Sequence, residues 1–300
     1  MCSVRKLCAL AATAVLMLST AAEAAEHGPL KVVASFTIVA DMVRAVGGEW
    51  VEVKTLVGPD SDAHAFQPTP GDARSVAQAD LLVANGLGFE GWLGRLTKAA
   101  GYKGPVVLAS AGITPRQMVE NGRTETDPHA WQDLANGRRY LATIAEALVA
   151  ADSAHAEGYR ANLRREDENL AQLDAWVRAE LASVPADKRK VITTHNAFGY
   201  FAAAYGITFL APQGLSSEAE VTPRDLARLV KQVRQTGIKA IFLENMSDPR
   251  LVEQLAKEAG AKVGGKLYVD ALSPADGPAP SYPTMFRNNV TELRDGMAKN

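Results

Sequence analysis

The sequence predicts an α/β protein of two lobes, each built on a parallel sheet, joined by a long rigid helix that leaves a cleft between them. Three observations predict it. Short apolar runs alternate with amphipathic helical segments through the first half of the chain, as βαβ units require. The same alternation returns in the last third. Between the two lies a helical tract without glycine or proline from 159 to 184, far stiffer than a Gly/Ser linker. A length of 300 residues also exceeds that of most single domains.

Residues 1–24 read as an export signal. Arg5 and Lys6 precede the apolar run LCALAATAVLML, and Ala22-Glu23-Ala24 supplies a small-x-small cleavage pattern. That run is too short to span a bilayer, and nothing later approaches about 18 consecutive apolar residues. The mature protein is expected to begin near Ala25 and to be soluble in the periplasm. Both cysteines, Cys2 and Cys8, fall in the leader, and Cys8 lacks the preceding apolar run of a lipid-modified cysteine. A metal site in the mature chain would then have only nitrogen and oxygen donors. The net charge of −2, with no basic stripe, excludes nucleic acid as a partner.

The N-terminal lobe is expected over 25–136. KVVASF, VEVKTLV, LLVANG and PVVLAS read as short strands, and IVADMVRAVGG and DARSVAQA as helices. The connecting segment, 137–188, opens on a helix with Asn136 as N-cap, where Tyr140, Leu141, Ile144 and Leu148 share a face. After Asp152 the pattern resumes to about Ala182, with Tyr159, Leu163, Leu170, Leu173, Val177 and Leu181 on an apolar stripe. The C-terminal lobe, 189–300, alternates the strands KVITTH, ITFLAP, AIFLEN and KLYVD with the helices FGYFAAAYG, TPRDLARLVKQVRQTG and DPRLVEQLAKEAG. The PAPSYP stretch reads as a semi-rigid lobe edge.

Open α/β sheets bind ligands at the carboxyl ends of their strands, and four metal-binding side chains fall at such places. They are His64 in DAHAFQPTP, His129 in TDPHAWQD, His195 after VITT and Asp270 after LYV. Three imidazoles and a carboxylate complete a tetrahedral shell, here divided evenly between the two halves. Glu244 and Asp62 are candidate acceptors for the outer N–H of a ligating imidazole. Asp276 rivals Asp270 but lies in a Pro/Gly-rich stretch. His27 sits at the expected new N-terminus and His155 on a solvated helix face, while Trp131 and Phe198 wall the cleft. A zinc-dependent hydrolase is the reading from another class, with the three histidines holding zinc and Glu244 as base. Against it, the chain has no HExxH, and Asp270 takes the water's position.

With these residues assembled, the chain resembles the metal-specific periplasmic substrate-binding proteins of ABC importers, the ZnuA- and TroA-like cluster. The resemblance rests on HAFQPTPGDARSVAQADLLVANGLGFEGWL, TDPHAWQD, THNAFGYFAAAYGI and LYVDALSP followed by SYPTMFRNNV, in that order along the mature chain. It implies two lobes with a rigid helix between them, and a metal held by His64, His129, His195 and Asp270. It also implies delivery of that metal to an ABC transporter permease at the inner membrane, by a monomer without catalytic turnover. A metallochaperone is a further candidate partner, and surface adhesins occur among the relatives. Manganese-type members often carry Glu at the third ligand position, where this chain has His195. Zn²⁺ is therefore the expected cargo, since three nitrogens and one oxygen suit it better than Mn²⁺, with a manganese or dual Zn/Mn protein as the alternative. Many zinc-type members also carry a His-rich loop before the second ligand. The corresponding ITPRQMVENGRTETDPH has no histidine before His129.

Overall fold

A computed structural model describes residues 28–120, 122–211, 223–246 and 249–300. The export signal and His27 lie outside the described residues. Strand β1 (Leu30–Phe36) is buried from Val32 onward, as a central parallel strand covered on both faces must be. Helix α1 (Thr37–Gly47) follows, and β2 (Val51–Val57) exposes Glu52 and Lys54 at a sheet edge. Helix α2 (Pro70–Ala77) starts at a capping box between Thr69 and Asp72, with proline in its first turn. The central strand β3 (Leu81–Ala84), helix α3 (Leu93–Ala100) and the edge strand β4 (Val106–Leu108) complete a parallel sheet of order β2-β1-β3-β4.

An antiparallel hairpin of β5 (Gln117–Glu120) and β6 (Arg123–Thr126) then leads to His129. The alternation of strands and helices does not reveal it. Its one signal is the Asn121-Gly122 dipeptide in the sequence, a pair favoured in two-residue hairpin turns; Gly122 takes φ 76°.

Two antiparallel helices, α4 (Leu134–Ala151) and α5 (Ala156–Ala182), form the connection. Asp133 caps α4, not Asn136, by accepting from Ala135 N at 2.9 Å. The Asn136 amide instead donates to Ala130 O at 3.1 Å, ahead of the helix start. At about 1.5 Å per residue α5 runs roughly 40 Å, enough to back both lobes. It packs on α1 and α4 on one side and on α9 (Tyr282–Met297) on the other. One continuous apolar core therefore reaches from Val32 to Met297.

The second lobe comprises β7 (Lys190–Ile192), α6 (Gly199–Tyr205), β8 (Thr208–Leu210), α7 (Pro223–Thr236), β9 (Ala240–Glu244), α8 (Pro249–Ala259) and β10 (Lys262–Leu267). Its sheet has the order β10-β9-β7-β8, all parallel. The path is that of the first sheet: the first strand has the second on one side and the third and fourth on the other. Each sheet thus has a switch point beside its first strand, where a crevice opens at the carboxyl ends.

Two strands end earlier than the sequence pattern suggests. β7 stops at Ile192 because the Thr194 and His195 N–H groups are taken by the Glu244 carboxylate, at 2.8 and 3.1 Å, and not by a neighbouring strand. β10 stops at Leu267 because Tyr268 N donates to Asn289 Oδ1 and Val269 N to Asn245 Oδ1. His195 and Asp270 therefore each lie three residues past a strand, on backbone fastened by side chains. The PAPSYP edge runs into α9, whose start is a Ser281–Thr284 capping box with proline in the first turn. Among the described residues no helix is long and apolar enough to cross a membrane.

Candidate metal centre

Four stretches of chain converge between the lobes: the β2–α2 loop with His64, the segment after β6 with His129, the loop after β7 with His195 and the segment after β10 with Asp270. One donor atom from each lies within 4.8 Å of all the others. His64 Nε2 is 3.4 Å from His129 Nε2 and 3.3 Å from Asp270 Oδ2. His195 Nε2 is 3.2 Å from Asp270 Oδ2, and His129 Nε2 is 3.7 Å from Asp270 Oδ1. Bonds of 2.0–2.1 Å to a tetrahedral zinc ion would put its ligands about 3.3 Å apart. These edges are of that size.

The donors contact one another as ion pairs around Asp270, with His64 Nε2 also within 3.4 Å of His129 Nε2. His195 Nε2 and both Asp270 oxygens are buried and have no hydrogen-bond partner. A buried polar group without a hydrogen bond is costly, and a carboxylate most of all. Three such atoms on two side chains, facing the same point, fit a cation. The residues present therefore suit a metal ion, with nitrogen and oxygen donors only.

Outer hydrogen bonds decide which ring nitrogen faces inward. His129 Nδ1 lies 2.8 Å from Asp127 Oδ1, and His195 Nδ1 is hydrogen-bonded to Glu244 Oε2. With Nδ1–H donated to a carboxylate, each ring turns its Nε2 lone pair into the site. Glu244 is fully engaged, since it also holds the backbone N–H groups of Thr194 and His195. Asp62 behaves differently: it accepts from His64 N at 2.8 Å and Ala65 N at 3.4 Å, and turns the chain. Asp127 is the residue that sequence reasoning missed. Its signal was present, because Asp127-Pro128-His129 repeats the spacing of Asp62-Ala63-His64.

Electrostatics tie the cluster together. Burial alone would raise the Asp270 pKa, but the surrounding histidines hold it well below the usual carboxylate range. Burial would lower His195, yet Glu244 and Asp270 raise it well above an ordinary imidazole. His64 is raised in the same way, its burial outweighed by Asp270. His64 and His195 thus hold protons more tightly than free imidazoles, and a divalent cation would have to displace them.

The frame behind the site is polar and rigid. Asn85, at the end of β3, donates to Pro128 O at 2.9 Å and accepts from Tyr140 Oη at 2.6 Å, fixing the backbone beside His129. The buried Glu90 receives Ser35 Oγ and Asn85 N, each at 2.7 Å, and its pKa is raised by burial. Between Asn85 and Glu90 the chain turns through Gly86, Leu87 and Gly88, all at positive φ. For Leu87, at 55°, this costs about 1–2 kcal/mol. Across the cleft, Trp131 Nε1 and Gln132 Nε2 both donate to Val269 O at 3.0 Å. The carbonyl next to Asp270 is therefore pinned from the segment that carries His129. Phe89 stands edge-on to His64, with ring centroids 4.5 Å apart, and Trp131 packs edge-on against His129.

The other candidates have structural places. His155 hydrogen-bonds Asp152 at 2.7 Å and stacks on Trp50, so it is a packed surface residue away from the cluster. Phe198 stacks on Phe209 inside the second lobe. Asp276 lies outside the donor cluster, which uses Asp270.

Comparison with known proteins matches residues 32–296 to the family described as zinc-uptake complex component A, periplasmic (ZnuA). The chain belongs to the ZnuA family. It is 33% identical to the iron-binding protein YfeA of Yersinia pestis over 290 residues, covering 94% of this chain and 93% of that one. The Mn-bound periplasmic metal binding protein of candidatus Liberibacter asiaticus superposes with a TM-score of 0.79 and 31% identity, over 89% of this chain and 99% of that one. The periplasmic zinc binding protein TroA of Treponema pallidum gives 0.83 and 29%, over 90% and 99%. As a ZnuA-family member this is a periplasmic metal-binding protein of the ABC-transporter type, and such substrate-binding proteins work with membrane permease and ATPase components. Its relatives are named for iron, manganese and zinc alike.

Proposed function

We propose that the protein captures Zn²⁺ through His64, His129, His195 and Asp270 and hands it to the permease of an ABC importer. The observation that carries this reading is the set of buried donors at His195 and Asp270 that lack a hydrogen bond, spaced as a small tetrahedral ion requires. Three neutral imidazoles and one carboxylate would leave the bound ion with a net charge of about +1. Binding releases protons from the imidazoles, so affinity falls as the medium is acidified. The export signal supports the periplasmic part of this reading, in which the chain is released by cleavage and acts as a monomer. A metallochaperone that loads the site would have to reach the cleft.

A manganese or dual protein is the second reading, and a particular observation favours it. Both Asp270 oxygens are free of hydrogen bonds, so the carboxylate could bind through both and enlarge the shell toward what Mn²⁺ prefers. Hydrolysis is poorly supported, because Glu244 is engaged by three N–H groups and Asp270 fills the fourth corner.

Competition between Zn²⁺ and Mn²⁺ on metal-stripped protein, repeated with His195→Glu, tests the assignment. Zinc should win on the native chain by at least tenfold, and the variant should shift the ratio toward manganese. Absence of stoichiometric binding of either ion would refute the function. An unchanged ratio would refute the role of His195 in selectivity.

A further inference from the structure

The four donors are not equally reachable. The His64 side chain is 27% exposed, against 14% for His195, 2% for His129 and none for Asp270. Solvent therefore meets the site at His64. One groove of about 550 Å³ includes His64 in its wall. Leu87 and Pro128 form part of the wall, and the β5–β6 hairpin contributes Met118, Glu125 and Thr126. Met118 and Glu125 are directly opposed across the hairpin, so their side chains share a face.

Asn196, the residue after His195, donates to Val119 O at 3.5 Å, which brings the hairpin across to the second lobe. Opposite the hairpin, the strained Gly86-Leu87-Gly88 turn places an apolar lip at the groove. Glu125 is the one formally charged side chain among the described residues that line it, and its carboxylate has no hydrogen bond or ion pair among the described residues. Glu125 is exposed on an open groove, and an unengaged anion beside the approach to a cation site raises the local cation concentration in front of that site.

We propose that this groove is the path by which the divalent ion reaches His64 and leaves it, and that Glu125 is its electrostatic guide. The proposal rests on the metal-capture reading above and adds a kinetic role to a residue outside the donor set. A charge on the approach acts on the diffusing ion, so it raises the association rate more than it alters dissociation from the buried donors.

The test uses the metal-stripped mature protein and Zn²⁺ alone. Association is followed by stopped-flow competition with a chromogenic chelator, and dissociation by transfer into excess chelator. Glu125→Gln should slow association by about 3- to 10-fold at low ionic strength, with dissociation changed less than about twofold. The difference should shrink at about 0.5 M salt, where the charge is screened. Glu52→Gln, an exposed position on β2, serves as control and should match the native rates. Native association rates in Glu125→Gln would overturn the proposal while leaving metal capture intact. So would a loss of affinity carried by dissociation alone. Failure of the native protein to take up metal at equilibrium would overturn both.

Discussion

Two Asp-x-His motifs look alike in the sequence and do different work in the structure, which gives a sharp prediction. Asp127 Oδ1 accepts both His129 N at 3.0 Å and His129 Nδ1 at 2.8 Å, so it fixes the ring that would ligate the metal. Asp62 accepts only backbone N–H groups. In Asp127→Asn the shape and one acceptor oxygen survive, but the charge is lost. Hydrogen bonds to a charged group contribute about 1.5–3 kcal/mol against about 0.5–1.5 for neutral pairs. The difference of about 1–1.5 kcal/mol corresponds to a loss in metal affinity of about 5- to 10-fold. Asp127→Ala removes the orienting bond altogether and should cost about 100-fold. Asp62→Asn should leave affinity within about twofold and register only as a lower melting temperature of the metal-free protein. The assay is a chelator-competition titration of metal-stripped protein, with thermal melts run alongside. An Asp127→Asn affinity within twofold of native, or an Asp62→Asn loss as large as that of Asp127→Asn, would refute the assignment of inward-facing Nε2 to the Asp127 bond.

Gly199 opens α6 beside the same carboxylate, and a Cβ there would collide with Asp127 Oδ2. Gly199→Ala should therefore weaken metal binding by about 3- to 10-fold by displacing Asp127, and add little to Asp127→Ala in the double variant, as titration of all three would show. Trp131→Phe combined with Gln132→Leu strips Val269 O of both donors. That double change should lower stability in urea by about 1–3 kcal/mol, more than either single change, because one donor alone still satisfies the carbonyl. Far from the cleft, partial burial works to raise the Asp152 pKa, but hydrogen bonds from Tyr159 and His155 outweigh it and hold it below the ordinary carboxylate value. A depressed folded pKa means stability that is present above the unfolded value, near 3.8, and is lost as pH falls through the lower folded one. Asp152→Asn should thus be less stable than native protein at pH 7, with the gap closing toward pH 3 in urea melts.

The large features of this molecule were legible because they follow from periodicity and residue chemistry. Alternating apolar runs announce parallel sheets, and a glycine-free stripe such as Tyr159, Leu170, Leu173, Val177 and Leu181 announces a long packed helix. Features set by one tertiary bond were hidden. Nothing local tells that Asp133 caps α4 in place of Asn136, since both are good capping residues, and the choice falls to an amide that finds Ala130 O instead. The ends of β7 and β10 were misplaced for a related reason. Thr193, Thr194, Tyr268 and Val269 have strand-like side chains, but the N–H groups of Thr194, Tyr268 and Val269 are claimed by Glu244, Asn289 and Asn245 from elsewhere in the chain. That displacement bears on function. A ligand on the last residue of a strand is held by the sheet ladder alone. His195 and Asp270 each sit three residues beyond, on backbone held by side-chain bonds from β9, α9 and the segment bearing His129. The position of Asp270 is therefore a joint property of both sides of the cleft, so the spacing of the four donors depends on how the lobes are packed together. Substitutions at Glu244, Asn289 or Gln132 can alter metal binding without touching a donor atom.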